Sequence, residues 1–235
     1  MKLLNRFLSR LETPPASQRG SPSFSQCGED RIVAFILQAL RIPKPRFLDI
    51  GAFDAVHLSN TYALYLQGSS GCCVEANPVL ARQIAIQRPR DRVLNVAVSA
   101  VAKGTMELYV MDQPTLSTTS REEAERLCRE EGCRIQRVDH VEVKSINEIL
   151  RENFPSGELD FLSLDIEGNE LEILQHIDMS FSKPKIMCIE TLTYSRSVQR
   201  KNDVLIGLLR DRGYMIYADT YINTIFVDQL VWNRR

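Results

Sequence analysis

A chain of 235 residues, 44% hydrophobic and 25% charged, is long enough to bury a sizeable core and calls for no second globular unit. Its formal net charge of -1 leaves no excess of Lys and Arg to neutralise a phosphate backbone, which disfavours a large nucleic-acid partner. The six cysteines (Cys27, Cys72, Cys73, Cys128, Cys133, Cys188) form no CxxC pair and have no His-rich partner, which argues against zinc, and Cys72, Cys73 and Cys188, in predicted buried strands, read as small apolar residues in a reducing, cytoplasmic setting.

At the amino terminus, Leu3, Leu4, Phe7, Leu8 and Leu11 fall on one helical face with Lys2, Arg6 and Arg10 beside it. The interleaved charges deny this stretch the continuous apolar core of a signal peptide. The helix is expected to dock on its own domain or on a partner, with peripheral association with a membrane surface as the alternative. Thr13 to Ser25, rich in Pro, Ser and Gly, reads as a linker or flexible arm, and no stretch of the chain has the length and apolarity of a transmembrane span. Ser25-Gln26-Cys27-Gly28-Glu29-Asp30 then precedes an apolar-periodic helix (Ile32, Val33, Phe35, Ile36, Leu37, Leu40) stopped by Pro43 and Pro45. Ser25 or Gly28 is placed to cap it, and Glu29 and Asp30 either complement its positive end or cover a ligand.

Phe47, Leu48 and Ile50 predict a short buried strand around Asp49, Gly51 a tight turn close to a ligand, and Asn60 to Gln67 the helix that follows. His57, Ser59 and Asn60 stand at the start of that helix, to cap it or to reach the ligand. Gly71-Cys72-Cys73-Val74-Glu75 is a second buried strand ending in an acid, where such folds hold two ribose hydroxyls. Together the two point to an adenosine-containing cofactor. Asn77-Pro78 opens a helix through Gln87. Val93 to Val98 predicts a third strand, with Ala97 either beside an adenine ring or simply close-packed. Gly104 to Val110 is extended, and Ser120 to Gly132 is a charged helix, a solvated excursion or a substrate-facing lid.

Val138 to Val143 reads as a strand and Ser145 to Phe154 as a well-capped helix. Leu159 to Leu164 is a buried strand running into the acid-rich turn Asp165-Ile166-Glu167-Gly168-Asn169-Glu170, and Lys185 to Glu190 repeats the pattern of apolar strand and terminal acid. Val198 to Arg212 predicts a helix closed by Gly213, and Tyr214 to Ala218 with Asn223 to Val227 an antiparallel hairpin. The alternation argues for an α/β, doubly wound, mainly parallel sheet with its ligand at the carboxyl ends of the strands. Asp49, Glu75, Asp165 and Glu190 all fall at that edge, and so much charge must meet a cation, donors or hydroxyls. The phosphate-cradling G-x-G-x-x-G is absent.

Four stretches, taken in order, resemble the FkbM family of S-adenosylmethionine-dependent methyltransferases: Ser25 to Asp30, Leu48 to Tyr65, Val74-Glu75-Ala76-Asn77-Pro78 and Ser163 to Glu170. Phe53 and Ala55 depart from it, standing where the family more often has Asn and a small residue. The resemblance implies a class I, Rossmann-like seven-stranded sheet with one antiparallel strand, spanning residues 25–235 behind an amino-terminal helix and linker at 1–24. It also implies S-adenosylmethionine as cofactor and O-methylation of a sugar, glycan or secondary-metabolite hydroxyl. Carried over to these positions, Glu75 takes the ribose hydroxyls and the turn holding Asp49, Gly51, Ala52 and Asp54 the methionine portion. Asn60, Ala97 and Asp165 are further neighbours, and Gln26 with Glu29 closes the pocket.

The cofactor's sulfonium and ammonium suit a carboxylate-lined cleft. A substrate hydroxyl would attack the methyl carbon in line while a base takes its proton. Asp165 and Glu167 are the first candidates, followed by Glu190 and His57; the less favoured alternative has Asp165, Glu167 and Glu190 holding Mg²⁺. No Asn-Pro-Pro-Tyr motif follows the fourth core strand, which favours oxygen over amine. The loops near Gln113 to Asp139 are expected to select the acceptor. The rival readings are an NAD-dependent oxidoreductase and an inactive cofactor-binding module docked in a biosynthetic complex through Met1 to Leu11.

Overall fold

The computed structural model describes residues 22–102, 104–195 and 198–235; the amphipathic stretch Met1 to Leu11 and most of the arm after it lie outside these. In chain order the strands are β1 (Arg46–Ile50), β2 (Ser70–Val74), β3 (Arg92–Leu94), β4 (Ala97–Ser99), β5 (Thr105–Met111), β6 (Ile135–Ser145), β7 (Phe161–Leu164), β8 (Ile186–Glu190), β9 (Leu192–Ser195), β10 (Val198–Lys201), β11 (Tyr214–Asp219) and β12 (Asn223–Asp228). The helices are α1 (Glu29–Ala39), α2 (Tyr62–Leu66), α3 (Pro78–Gln87), α4 (Arg121–Glu130), α5 (Ile146–Asn153), α6 (Glu170–His176), α7 (Asp203–Asp211) and α8 (Gln229–Asn233).

Seven strands form one sheet in the order β11-β12-β8-β7-β1-β2-β3. Every pairing from β8 to β3 is parallel, and β12 alone runs against its two neighbours. This is the class I methyltransferase arrangement that the sequence led us to expect. Side chains alternate across the sheet, so Leu48, Ile50, Val74, Leu164 and Ile189 bury one face under α5, α6 and α7. Phe47, Cys73, Phe161, Cys188 and Ile225 bury the other with α1 and α3. Cys72, Cys73 and Cys188 are buried free thiols in these strands. No helix among the described residues is long and apolar enough to cross a membrane.

Three predicted elements differ in the structure. Val93 to Val98 is not one strand: the chain leaves the main sheet after Leu94, and β4 pairs with β6 instead. The break falls at Asn95, whose Nδ2 donates to the carbonyls of Glu75 and Ala76 at 2.9 and 2.8 Å. Val198 to Arg212 is not one helix either, because Val198–Lys201 pairs back on β9 and Asn202 then caps α7, its side chain accepting from the Leu205 N–H. Finally, α4 is more than a solvated excursion: Ala124 and Leu127 pack into a small core with Tyr109, Met111 and Cys133. Its acids nonetheless serve the surface, with Glu123 and Glu131 paired to Arg126.

Candidate active site

The strand ends meet around one glycine. Gly51 turns at φ +81, and a Cβ there would lie 1.7 Å from the Asp165 carbonyl oxygen, so no other residue lets β1 and β7 close up. The Gly51 and Ala52 N–H groups both donate to the Val74 carbonyl, and the Asp165 N–H donates to that of Ile50. Three chain segments are thereby drawn around the mouth of a cavity of about 320 Å³.

Glu75, one residue past β2, stands on one side of this cavity. Its Oε2 accepts from the Phe53 N–H at 2.9 Å and its Oε1 from the Asn77 N–H at 2.7 Å. Burial raises its pKa from the ordinary value, against those two N–H donors. Each oxygen keeps a lone pair, the arrangement that two adjacent hydroxyls require. Phe53 is held at φ 51 to make its bond, a left-handed conformation that residues other than glycine seldom adopt.

Asp165, Glu167 and Glu190 form a second acidic group on the same cavity, with one carboxylate oxygen from each lying within 4.8 Å of the others. Local geometry aims them. Glu167 sits at φ 58, its carbonyl accepts from Thr118 Oγ1 at 3.1 Å, and Glu170 Oε1 accepts from the Ile166 and Gly168 N–H groups. Burial, then the charge of Glu170, pushes the Asp165 carboxyl up from 3.8 to about 7. Burial and the charge of Asp165 raise Glu167 well above its ordinary range, and burial with Asp165 and Glu167 lifts Glu190 to about 11. Three carboxylates this close cannot all ionise without a cation or a shared proton among them.

Of the residues expected at the site, Gln26, Gly51, Asn60, Glu75, Ala97, Asp165, Glu167 and Glu190 line the cavity. Asn60 Nδ2 donates to Ser163 Oγ at 3.1 Å, which anchors it over the sheet edge. The others lie elsewhere. Asp49 is buried away from the cavity, accepting from Thr61 Oγ1 at 2.5 Å, and Thr61 in turn accepts from Arg88 Nη2 at 3.0 Å. Burial raises Asp49 and the Arg88 charge opposes it. Ala52 packs in the core against Phe47 and Cys73. Asp54 shapes the next turn by accepting from the Val56 and His57 N–H groups, and His57 itself is exposed and outside the cavity lining. Glu29 is fully buried, yet it touches the site only through Asn223, whose Nδ2 donates to it at 3.1 Å.

Several lining residues are not among those the sequence singles out one by one. Pro114 to Thr119 covers the cavity from the β5 side, tied to Tyr109 by the Thr118 backbone. This segment lies within the Gln113 to Asp139 region expected to select the acceptor. Ile222 and Asn223 complete the wall, since the antiparallel register sets Asn223 opposite Glu190. The only hint had been a turn before a strand.

Residues 49–216 match the protein family described as Methyltransferase FkbM domain. No curated protein sequence matches the chain. Among solved structures, it is similar to a TehB-like SAM-dependent methyltransferase from Corynebacterium glutamicum ATCC 13032 Kitasato, at 10% identity and a TM-score of 0.45 over 95% of this chain and 97% of that one. It is also similar to a putative caffeoyl-CoA O-methyltransferase from Staphylococcus aureus, at 10% identity and a TM-score of 0.46 over 96% of each chain. A third likeness is the magnesium protoporphyrin IX methyltransferase from Synechocystis PCC 6803 with bound SAM, at 12% identity and a TM-score of 0.43 over 84% of this chain and 76% of that one.

Proposed function

The chain belongs to the FkbM methyltransferase family, and from that premise we propose that it transfers the methyl group of S-adenosylmethionine to a hydroxyl of a sugar, glycan or small secondary metabolite. The observation that carries the proposal is a cavity with an acid at each of two places: Glu75, braced by two backbone N–H groups, and the Asp165, Glu167 and Glu190 cluster. Glu75 suits the ribose hydroxyls, Ala97 the adenine, and the Gly51 turn the methionine portion. The cluster is left to face the methyl group and the acceptor.

In this reading the acceptor oxygen attacks the methyl carbon in line, the carbon–sulfur electron pair returns to sulfur, and S-adenosylhomocysteine leaves. The hydroxyl proton passes to the acidic cluster as the new bond forms. Asp165 is the first choice of base, because a carboxyl raised to about 7 combines a usable ionised fraction with the basicity to take a proton. Glu167 comes next, delivered by its left-handed turn. His57 has no part in this proposal, since it is exposed and off the cavity.

Incubating the protein with methyl-labelled S-adenosylmethionine and a panel of sugar, phenol and amine acceptors tests the proposal. Label recovered in a methyl ether supports it. Label recovered on nitrogen alone, or cofactor binding without transfer to any acceptor, would sink the reaction at oxygen.

A further inference from the structure

Ligand oxygens around one ion are separated by at most two metal–oxygen bonds, about 4.2 Å for Mg²⁺ and about 4.8 Å for Ca²⁺. Asp165, Glu167 and Glu190 meet the wider of these spans as they stand, each offering one oxygen within 4.8 Å of the others. Acids alone do not make a site, because protons satisfy them equally well. The second observation is Asn223. It is 2% exposed, lines the same cavity and lies across the β8–β12 register from Glu190, on the same sheet face. Its Nδ2 donates to Glu29 Oε1, and Glu29 is held by Thr220 Oγ1 at 2.7 Å and by the Cys27 N–H at 2.7 Å. The Glu29 carboxylate is the acceptor in all three of these bonds, so the Asn223 amide presents its N–H₂ to it. The orientation of the Asn223 amide is therefore fixed. Its Oδ1, buried and turned away from Glu29, has no hydrogen-bond partner among the described residues.

The geometry points to a divalent-cation site built from the Asp165, Glu167 and Glu190 carboxylates with Asn223 Oδ1 as the fourth, neutral oxygen. An all-oxygen set selects a hard cation, Mg²⁺, Mn²⁺ or Ca²⁺, over zinc or copper. Glu29 is the group behind the ligand that orients it, as carboxylates behind metal-binding side chains do elsewhere. Four protein oxygens leave two positions of an octahedron for water or for the acceptor hydroxyl, whose proton a bound cation makes easier to remove. That use of the ion rests on the O-methyltransferase reading; the ion's binding does not.

The test is a titration of the full, EDTA-stripped chain with Mn²⁺, free ion being read from its electron paramagnetic resonance signal, with and without S-adenosylhomocysteine. Calorimetry measures S-adenosylhomocysteine binding separately. One Mn²⁺ per chain is expected, with affinity falling at least tenfold in Glu190→Gln and Glu167→Gln, severalfold in Asn223→Ala, and unchanged in Glu172→Gln, an exposed acid of the same region. Thermal melts of the metal-free variants separate loss of the ion from loss of the fold, and Glu167→Gln is the least disruptive because its turn is held through backbone groups. Failure to bind Mn²⁺ at millimolar concentration, or binding indifferent to the Glu190 and Asn223 substitutions, overturns the site. Displacement of Mn²⁺ by S-adenosylmethionine but not by its neutral-sulfur product also overturns it, by assigning the acids to the cofactor's own cation. Product binding without Mn²⁺ binding removes the cation and leaves the methyltransferase reading intact; Mn²⁺ binding without product binding does the reverse.

Discussion

Glu29 and Asn223 stand 194 positions apart in the chain and are joined by one buried hydrogen bond of 3.1 Å. The same carboxylate receives Thr220 Oγ1 and the Cys27 N–H, so three donors from two ends of the chain converge on it. Glu29→Gln replaces one acceptor oxygen by a donor and orphans one of the three, at a cost of about 1–3 kcal/mol. Because the folded pKa of Glu29 is lowered from 4.5, its stabilisation is complete above that value and is lost as pH falls through the folded one. Urea unfolding should therefore show the full deficit of Glu29→Gln at neutral pH and a smaller one under acid conditions.

Under the proposed function, Glu75→Ala removes the acceptor for both ribose hydroxyls, and it removes the partner of the Phe53 and Asn77 N–H groups. Two hydrogen bonds to a charged group are worth about 1.5–3 kcal/mol each, so affinity for S-adenosylmethionine should fall about a hundredfold or more in calorimetry. An affinity within threefold of wild type would detach Glu75 from the ribose.

Arg88 is fully buried, paired with Asp91 at 2.7 Å and set near the rings of Phe47 and Tyr65. Arg88→Met fits the space but leaves buried acids uncompensated, for a loss of about 3–5 kcal/mol. Asp49, already raised by burial, then loses the charge that opposes it and rises further. A folded pKa above the unfolded one means that protons stabilise the fold, so the variant should recover part of its deficit as pH falls from neutral toward 5. Asp49→Asn in the same background should remove that pH dependence.

The acidic cluster gives the cofactor-free protein a signature of the same sign. Asp165 rises from 3.8 to about 7 on folding, so its protonated form stabilises the fold at acid pH and that stability is lost as pH climbs through this window. Melting temperature should decline between pH 4 and 7, and the slope should flatten in Asp165→Asn. Unchanged slopes would mean that the carboxylates sit farther apart than they stand here.

The sheet was legible because each of its core strands is a short apolar run ended by an acid or a turn, and such runs in alternation with helices admit few topologies. What the pattern could not resolve was a shift of one residue. Asp49 lies one place inside β1, level with Cys73 and Ser163, and is roofed by Thr61, whereas Glu75 and Asp165 fall just beyond their strands and reach the cavity. Arg88 looked like an ordinary charged residue at a helix end, since nothing local announces Asp91, Thr61 and two aromatic rings around it. Asn223 was invisible for a related reason: its chemistry depends on Glu29 and Glu190, which only the closed sheet brings near.

The position of β12 also bears on how the protein is made. It lies inside the sheet, with β11 pairing on its far side, so one wall of the cavity comes from residues translated after all the parallel strands it joins. Until Asn223–Asp228 emerges from the ribosome, β8 presents Ile186, Met187, Cys188 and Ile189 along an open edge, a template for pairing with the wrong chain. The cavity wall stays incomplete until that strand pairs, and a nascent chain stalled ahead of Asn223 is a client for chaperones.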